Sequence, residues 1–208
     1  MNVLKAIAAN APASAQTLAF RSSATSTAST IVAPSDIVAG DLLVLFDVAL
    51  NASGFPTAVT PFTSFLNQTN QTSRRVLFSK KIADGTEAGA TLTGMNGANV
   101  NSKTLYVFST NGATSSTEFD VDYQATDATP TSQTITSSSG TPPLVSMGFI
   151  RQNIATSQSF SPTEDGSINL GVITTYYKIY NSSPSNITVS CADGGNNNMI
   201  SSFYIEVN

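Results

Sequence analysis

Glu118, Asp120, Asp122 and Asp127 are the densest group of acidic side chains in this sequence. Asp120 and Asp122 alternate with Phe119, Val121 and Tyr123, so on a strand both carboxylates project from one face and could offer oxygen ligands to calcium. The glycine and ligand spacing of an EF-hand loop is missing. Asp120, Asp122 and Asp127 are therefore weak calcium candidates, and a solvated acidic strand face is the simpler expectation. Acyl transfer has less to stand on. Serines are plentiful, but there is no histidine, so a serine nucleophile would need a lysine as its base. Lys80, Lys81 and Lys178 fall on stretches whose pattern makes them edge or rim residues, and no nucleophile–base pair is spelled out. The single cysteine, Cys191, rules out an intrachain disulfide, and the missing histidines remove the commonest transition-metal ligand. A non-enzymatic protein without catalytic residues or a cofactor is expected. Tyr176, Tyr180 and Tyr204 share a pattern that turns them from the core, where they could stack on a sugar, cover a sheet or meet another subunit.

The elements that would carry these residues are strands. Apolar residues make up 40% of the 208 positions and charged residues only 11%, while Ser, Thr and Asn together fill 73. Threonine favours strands and Ser and Asn favour turns, so many short strands joined by polar loops are expected. With nine basic residues and a net charge of −4, the chain offers no electrostatic surface for nucleic acid. No run approaches the roughly 20 apolar residues of a membrane-crossing helix.

In GDLLVLFDVAL, residues 40–50, Leu42, Val44, Phe46, Val48 and Leu50 share one parity, while Leu43, Leu45 and Ala49 share the other with Asp47. That is a central strand covered on both faces. A weaker copy, PPLVSMGFI, follows about a hundred residues later. RRVLFSKKI at 74–82 matches ITTYYKIY at 173–180, ATLTG at 90–94 matches ITVSC at 187–191, and TLYVFS at 104–109 matches SFYIEV at 202–207. The last match sets Leu105 and Val107 against Phe203 and Ile205, and the second sets Cys191 against Gly94 as a buried structural thiol. Four elements in one order read as an internal duplication, 40–110 and 142–208, joined by 111–141.

The expected fold is all-β: one β-sandwich over residues 19–208, jelly-roll-like, built from two duplicated halves packed face to face, with an immunoglobulin-like sandwich second. Neither half has apolar surface enough for a core of its own. Residues 1–18 form an N-terminal arm, in which Val3, Leu4, Ile7 and Leu18 would dock on its own domain or on a neighbouring subunit.

Three stretches carry a family resemblance. They are Pro34 with Ala39-Gly40-Asp41-Leu42-Leu43-Val44, then Thr60-Pro61-Phe62-Thr63, then Lys81-Ile82-Ala83-Asp84-Gly85-Thr86-Glu87-Ala88-Gly89-Ala90-Thr91. Over residues 31–110 this resembles a β-sandwich module of virion proteins of tailed bacteriophages, cyanophages included, and of some bacterial surface proteins; Phe62 stands where a Trp is usual. The resemblance implies a capsid cement or decoration protein on the outer surface of the virion. Its partner would be the major capsid protein, and it would form a homo-oligomer, often a trimer in such proteins. The arm and sheet edges would make the contacts, with Val3, Leu4, Ile7, Leu18, Tyr176, Tyr180 and Tyr204 as the partner-binding side chains. A tail fibre or receptor-binding protein is the nearest alternative, followed by a bacterial adhesin or carbohydrate-binding module.

Overall fold

The computed structural model describes residues 16–50, 59–70, 74–95, 100–126, 132–136, 140–151, 158–191 and 198–208. Among them there is no helix. The first half contributes β1 (Leu18–Ser26), β2 (Ile31–Val32), β3 (Leu42–Leu50), β4 (Thr63–Asn70), β5 (Arg74–Ile82), β6 (Thr91–Leu92) and β7 (Val100–Thr110). The second contributes β8 (Ser116–Thr126), β9 (Ser132–Ile135), β10 (Leu144–Arg151), β11 (Gln158–Ser161), β12 (Gly166–Leu170), β13 (Ile173–Tyr180), β14 (Ile187–Cys191) and β15 (Asn198–Val207). Leu18 is buried at the start of β1, so any arm ends before it; Val3, Leu4 and Ile7 lie outside the described residues.

Each half wraps in the same way. In the first, β1 pairs with β7, β2 with β6 and β3 with β5, a nest of antiparallel pairs that is the jelly-roll arrangement. In the second, β8 pairs with β15, β9 with β14 and β10 with β13. The products are two five-stranded inner sheets, β1-β7-β3-β5-β4 and β8-β15-β10-β13-β12, with β2-β6 and β9-β14-β11 outside them. Among the described residues β11 has no counterpart in the first half.

The apolar alternation builds four layers. Leu42, Val44, Phe46 and Val48 of β3 enter a central core shared with Val145, Met147 and Phe149 of β10 and with Phe203 and Ile205 of β15. Leu43 and Leu45 face the other way, into a first-half outer core with Ile31, Phe62, Leu77 and Leu92. The second half has its own outer core, with Leu144, Ile150, Phe160, Ile187 and Val189. Each half thus covers an outer face of its own besides sharing the central core, more than the apolar content of either half suggests.

Pairing fixes which residues of the halves correspond. Val44 lies between Lys80 and Tyr106, and Met147 between Tyr177 and Phe203. Both central residues face the central core, so Tyr106 corresponds to Phe203 and Lys80 to Tyr177. This corrects the expected match of Leu105 and Val107 with Phe203 and Ile205 by one residue. Leu105 and Val107 belong to the outer core, whereas Phe203 and Ile205 belong to the central one. A slip of one residue in a strand exchanges its faces.

Contacts between the halves are reciprocal, as across a two-fold axis. The Tyr106 hydroxyl meets Thr175 Oγ1 at 2.7 Å; the corresponding pair, Phe203 and Phe78, packs ring against ring at 5.5 Å. At one edge Phe20 of β1 stacks on Tyr177 with centroids 5.1 Å apart, and at the other the corresponding Glu118 and Lys80 form an ion pair at 2.5 Å. Asn181 bonds both backbone groups of Leu18, and Lys80 donates to the carbonyl of the corresponding Ser116. Lys80 is thereby buried, not at the rim where the sequence pattern puts it.

This burial has a titratable signature. Desolvation raises the pKa of Tyr106, and raises those of Tyr123 and Tyr176 to about 12, from an ordinary value of 10.0. A raised folded-state pKa on a group that ionises by losing a proton gives stability that is complete below pH 10 and lost as pH climbs through the folded value. The phenolate absorbance of Tyr106, Tyr123 and Tyr176 is therefore expected to develop together with loss of β-sheet circular dichroism above pH 10. A gradual rise at pH 10 in a still-folded protein would show the rings to be open to water.

Candidate functional site

Two of the three stretches singled out in the sequence, 39–44 and 81–91, meet in one polar clasp at the end of β3 and β5. Asp41 is fully buried; Arg21, at a bulge of β1, reaches its two oxygens at 2.9 and 3.1 Å, and the Val38 amide donates to it at 3.0 Å. Gly40 takes φ +90°, and a Cβ there would stand 3.1 Å from the Gly112 Cα, so the turn admits only glycine without strain. Ala83 exchanges backbone bonds with this turn, its carbonyl accepting from Gly40 and its amide donating to Asp41. Beyond it Lys81 bonds Glu87, itself buried, and lies 3.0 Å from Asp84. Burial alone would lower the Lys81 pKa, but the bonds to Glu87 and Asp84 raise it. The buried carboxylates of the clasp, Asp41 and Glu87, are each held by a cationic side chain and by a backbone amide.

A second buried charge group lies in the outer core of the first half. Asp47 shares the parity of Leu43 and Leu45, and its register partner across the sheet is Lys103, whose ammonium stands 3.4 Å from it. Both are buried, and Arg75 is nearly so. Desolvation lowers the pKa values of Lys103 and Arg75, and the Asp47 charge opposes it in both. By pairing, Asp47 and Lys103 correspond to Ile150 and Ile200 of the second half, both fully buried and apolar.

The acidic strand face is β8. Asp120 and Asp122 line a hollow of about 220 Å³ with Val121, Thr134 and Thr136, beside a bulge at which Asp120 takes φ +47°. Asp127 lies outside the described residues, and among those described no three His, Cys, Asp or Glu groups converge on a metal-sized point. The structure brings together two of the three calcium candidates only.

The three tyrosines do turn from the central core, yet none is free for a partner. Tyr176, Tyr180 and Tyr204 are buried in the second-half outer core, covered by the outer strands. Tyr204 stacks on Phe119 at 5.2 Å and donates to the Ser185 carbonyl, and Tyr176 stacks on Phe160 at 5.5 Å and donates to Gln158 Oε1 at 3.0 Å. Cys191 is buried beside them.

The sequence reading missed a polar hollow of the second half. It is an open cleft of about 460 Å³ where β11 of the outer sheet faces β12 and β13 of the inner one. Its lining comes from residues 158–176 and mixes amide, carboxylate, hydroxyl and aromatic groups, a combination that no sequence motif announces. Compared with protein-family models, curated proteins and solved structures, the chain matches none.

The buried Asp47–Lys103 pair yields a test. Asp47→Ile alone removes the carboxylate that faces both Lys103 and Arg75 and is expected to cost about 3–5 kcal/mol in denaturant melts. Adding Lys103→Ile, which copies the second half, is expected to restore most of that loss. A single substitution that costs nothing would mean that the pair contributes no specific stability.

Proposed function

We propose that this chain is a non-enzymatic structural protein of a virion surface, of the cement or decoration type, bound to the outer shell through its N-terminal arm and the adjoining edge of the first half. The observation that carries this reading is where exposed apolar side chains fall. Among the described residues the large ones are Phe20, Val32 and Val38, exposed by 41%, 61% and 49%, and all lie between the arm and the start of β3. Apolar groups left in water on one segment favour an interface there.

The body suits the role in a second way. Both inner sheets spend an apolar face on each other, so the particle contacts fall to edges, loops and the arm. Three of the four edge strands of the inner sheets, β1, β4 and β8, carry bulges, which discourage uncontrolled strand pairing between copies. Weak contacts of this kind gain strength from multivalent attachment of an oligomer. The major capsid protein is the proposed partner, a homo-oligomer the proposed form, and the chemistry at the contact is apolar packing with backbone hydrogen bonding.

The test is binding to purified particles that lack the chain. Deleting residues 1–15, which spares Leu18 and its bonds to Asn181, and separately changing Val32 and Val38 to Asp, are each expected to weaken binding at least about tenfold, with an unchanged melting temperature. Particle binding that survives both changes would remove the arm-and-edge reading. Copy number against the shell protein locates the chain: a ratio near one or a simple fraction supports the shell, and a few copies per particle moves it to the tail.

A further inference from the structure

We infer that the cleft between β11 and β12 binds a neutral saccharide. The inference is independent of where on a particle the chain sits. It starts from the place at which the two halves part company. By pairing, Thr174 and Tyr176 of β13 correspond to Leu77 and Ser79 of β5. In the first half Leu77 joins Val59 and Phe62 in the outer core, and Leu77 and Ser79 are both fully buried. In the second half β11 is added along β14, and the same position opens into a polar cleft of about 460 Å³. That volume lies within the roughly 300–1,000 Å³ of small-molecule sites.

The lining specifies the ligand class. Gln158, Glu164, Ser167, Asn169 and Thr174 supply amide, carboxylate and hydroxyl groups, and no cationic side chain joins them. Paired donors and acceptors on planar amide and carboxylate groups match the adjacent hydroxyls of a sugar ring. The absence of lysine and arginine from the lining leaves nothing to compensate a phosphate, a sulfate or a sugar acid, and Glu164 would repel them. Hydrophobic ligands find little purchase, since the aromatic pair in the floor is packed ring on ring.

The floor is also fixed in advance. Phe160 lies over Gly148, where an added Cβ would fall 2.8 Å from its ring, and it stacks on Tyr176 with an interplanar angle of 13°. The Tyr176 hydroxyl donates to Gln158 Oε1 and so sets which way that amide faces. Desolvation and the nearby Glu164 charge keep the phenol protonated as that donor. A lining held in one geometry loses less freedom when ligand arrives. An extended peptide fits less well: β12 offers an edge of only five residues, and the cleft beside it has no apolar pockets for alternate side chains.

The test is an amide chemical-shift titration of the full chain with methyl glycosides of glucose, galactose and mannose and with N-acetylglucosamine, at millimolar concentrations. Saturable shifts confined to residues 158–176 are expected with at least one of them. Asn169→Ala and Glu164→Gln, at positions outside the core, are expected to weaken that binding at least about tenfold without moving the melting temperature. No saturable shift with any probe overturns the inference, as does equal binding by glucose 6-phosphate. Preferential binding of a capped pentapeptide would also overturn it and make the site a strand-pairing edge.

Discussion

The contact between the two inner sheets governs the rest of this molecule. Each half folds into a jelly-roll wrap whose inner sheet is apolar on both faces, and the central core takes up one face of each. The other faces must then be covered separately, which is why short strands such as β2 and β6, of two residues each, are present at all. A half without its partner would present Val44, Phe46, Phe78 and Tyr106 to water. Fusion in one chain raises the effective concentration of the two surfaces and makes their association intramolecular.

Fusion also frees the halves from having to be alike. In a dimer of identical chains both edges would use the same residues; here one edge stacks Phe20 on Tyr177 and the other pairs Lys80 with Glu118. Likewise Asp47 and Lys103 occupy the outer core of one half where isoleucines occupy the other. Pairing the charged residues across β3 and β7 fixes their register, since a shift would leave a buried carboxylate against leucine. The second half achieves the same packing with shape alone. It spends its polar groups instead on the cleft.

Much of this was legible. Strand identity and the repeat follow from period-two alternation, and β3 is central because both parities of residues 42–50 are apolar. The same richness hid the register of β7, where Leu105, Tyr106, Val107 and Phe108 are all buried and either face could be the inner one. Asp47 stood out as a polar residue on an apolar parity, but its partner could be found only once β3 and β7 were paired. The tyrosines were placed on the correct side of their sheets. What the sequence did not disclose is that β9, β11 and β14 fold back to bury them: ITVSC of β14 was legible as an element of the repeat, whereas QSFS of β11 is polar enough to pass for a loop. The clasp residues stand out in the sequence as turn and strand grammar, and the structure holds each of them: Asp41 on Arg21, Glu87 on Lys81, and Gly40 in a turn of positive φ.

Strand β15 occupies the middle of its sheet, between β10 and β8, although it is the last strand in order. The first half has all its strands once β7 is made, whereas the second cannot close until residues 198–207 have left the ribosome. At roughly 5–20 residues per second, the intervening stretch of nearly a hundred residues takes on the order of 5–20 s. Throughout that interval the finished first half displays an apolar face meant for a partner not yet synthesised. Biosynthesis, more than equilibrium stability, is then the stage at which this protein is most exposed to misassembly, and the pairing of β15 between β10 and β8 closes that interval.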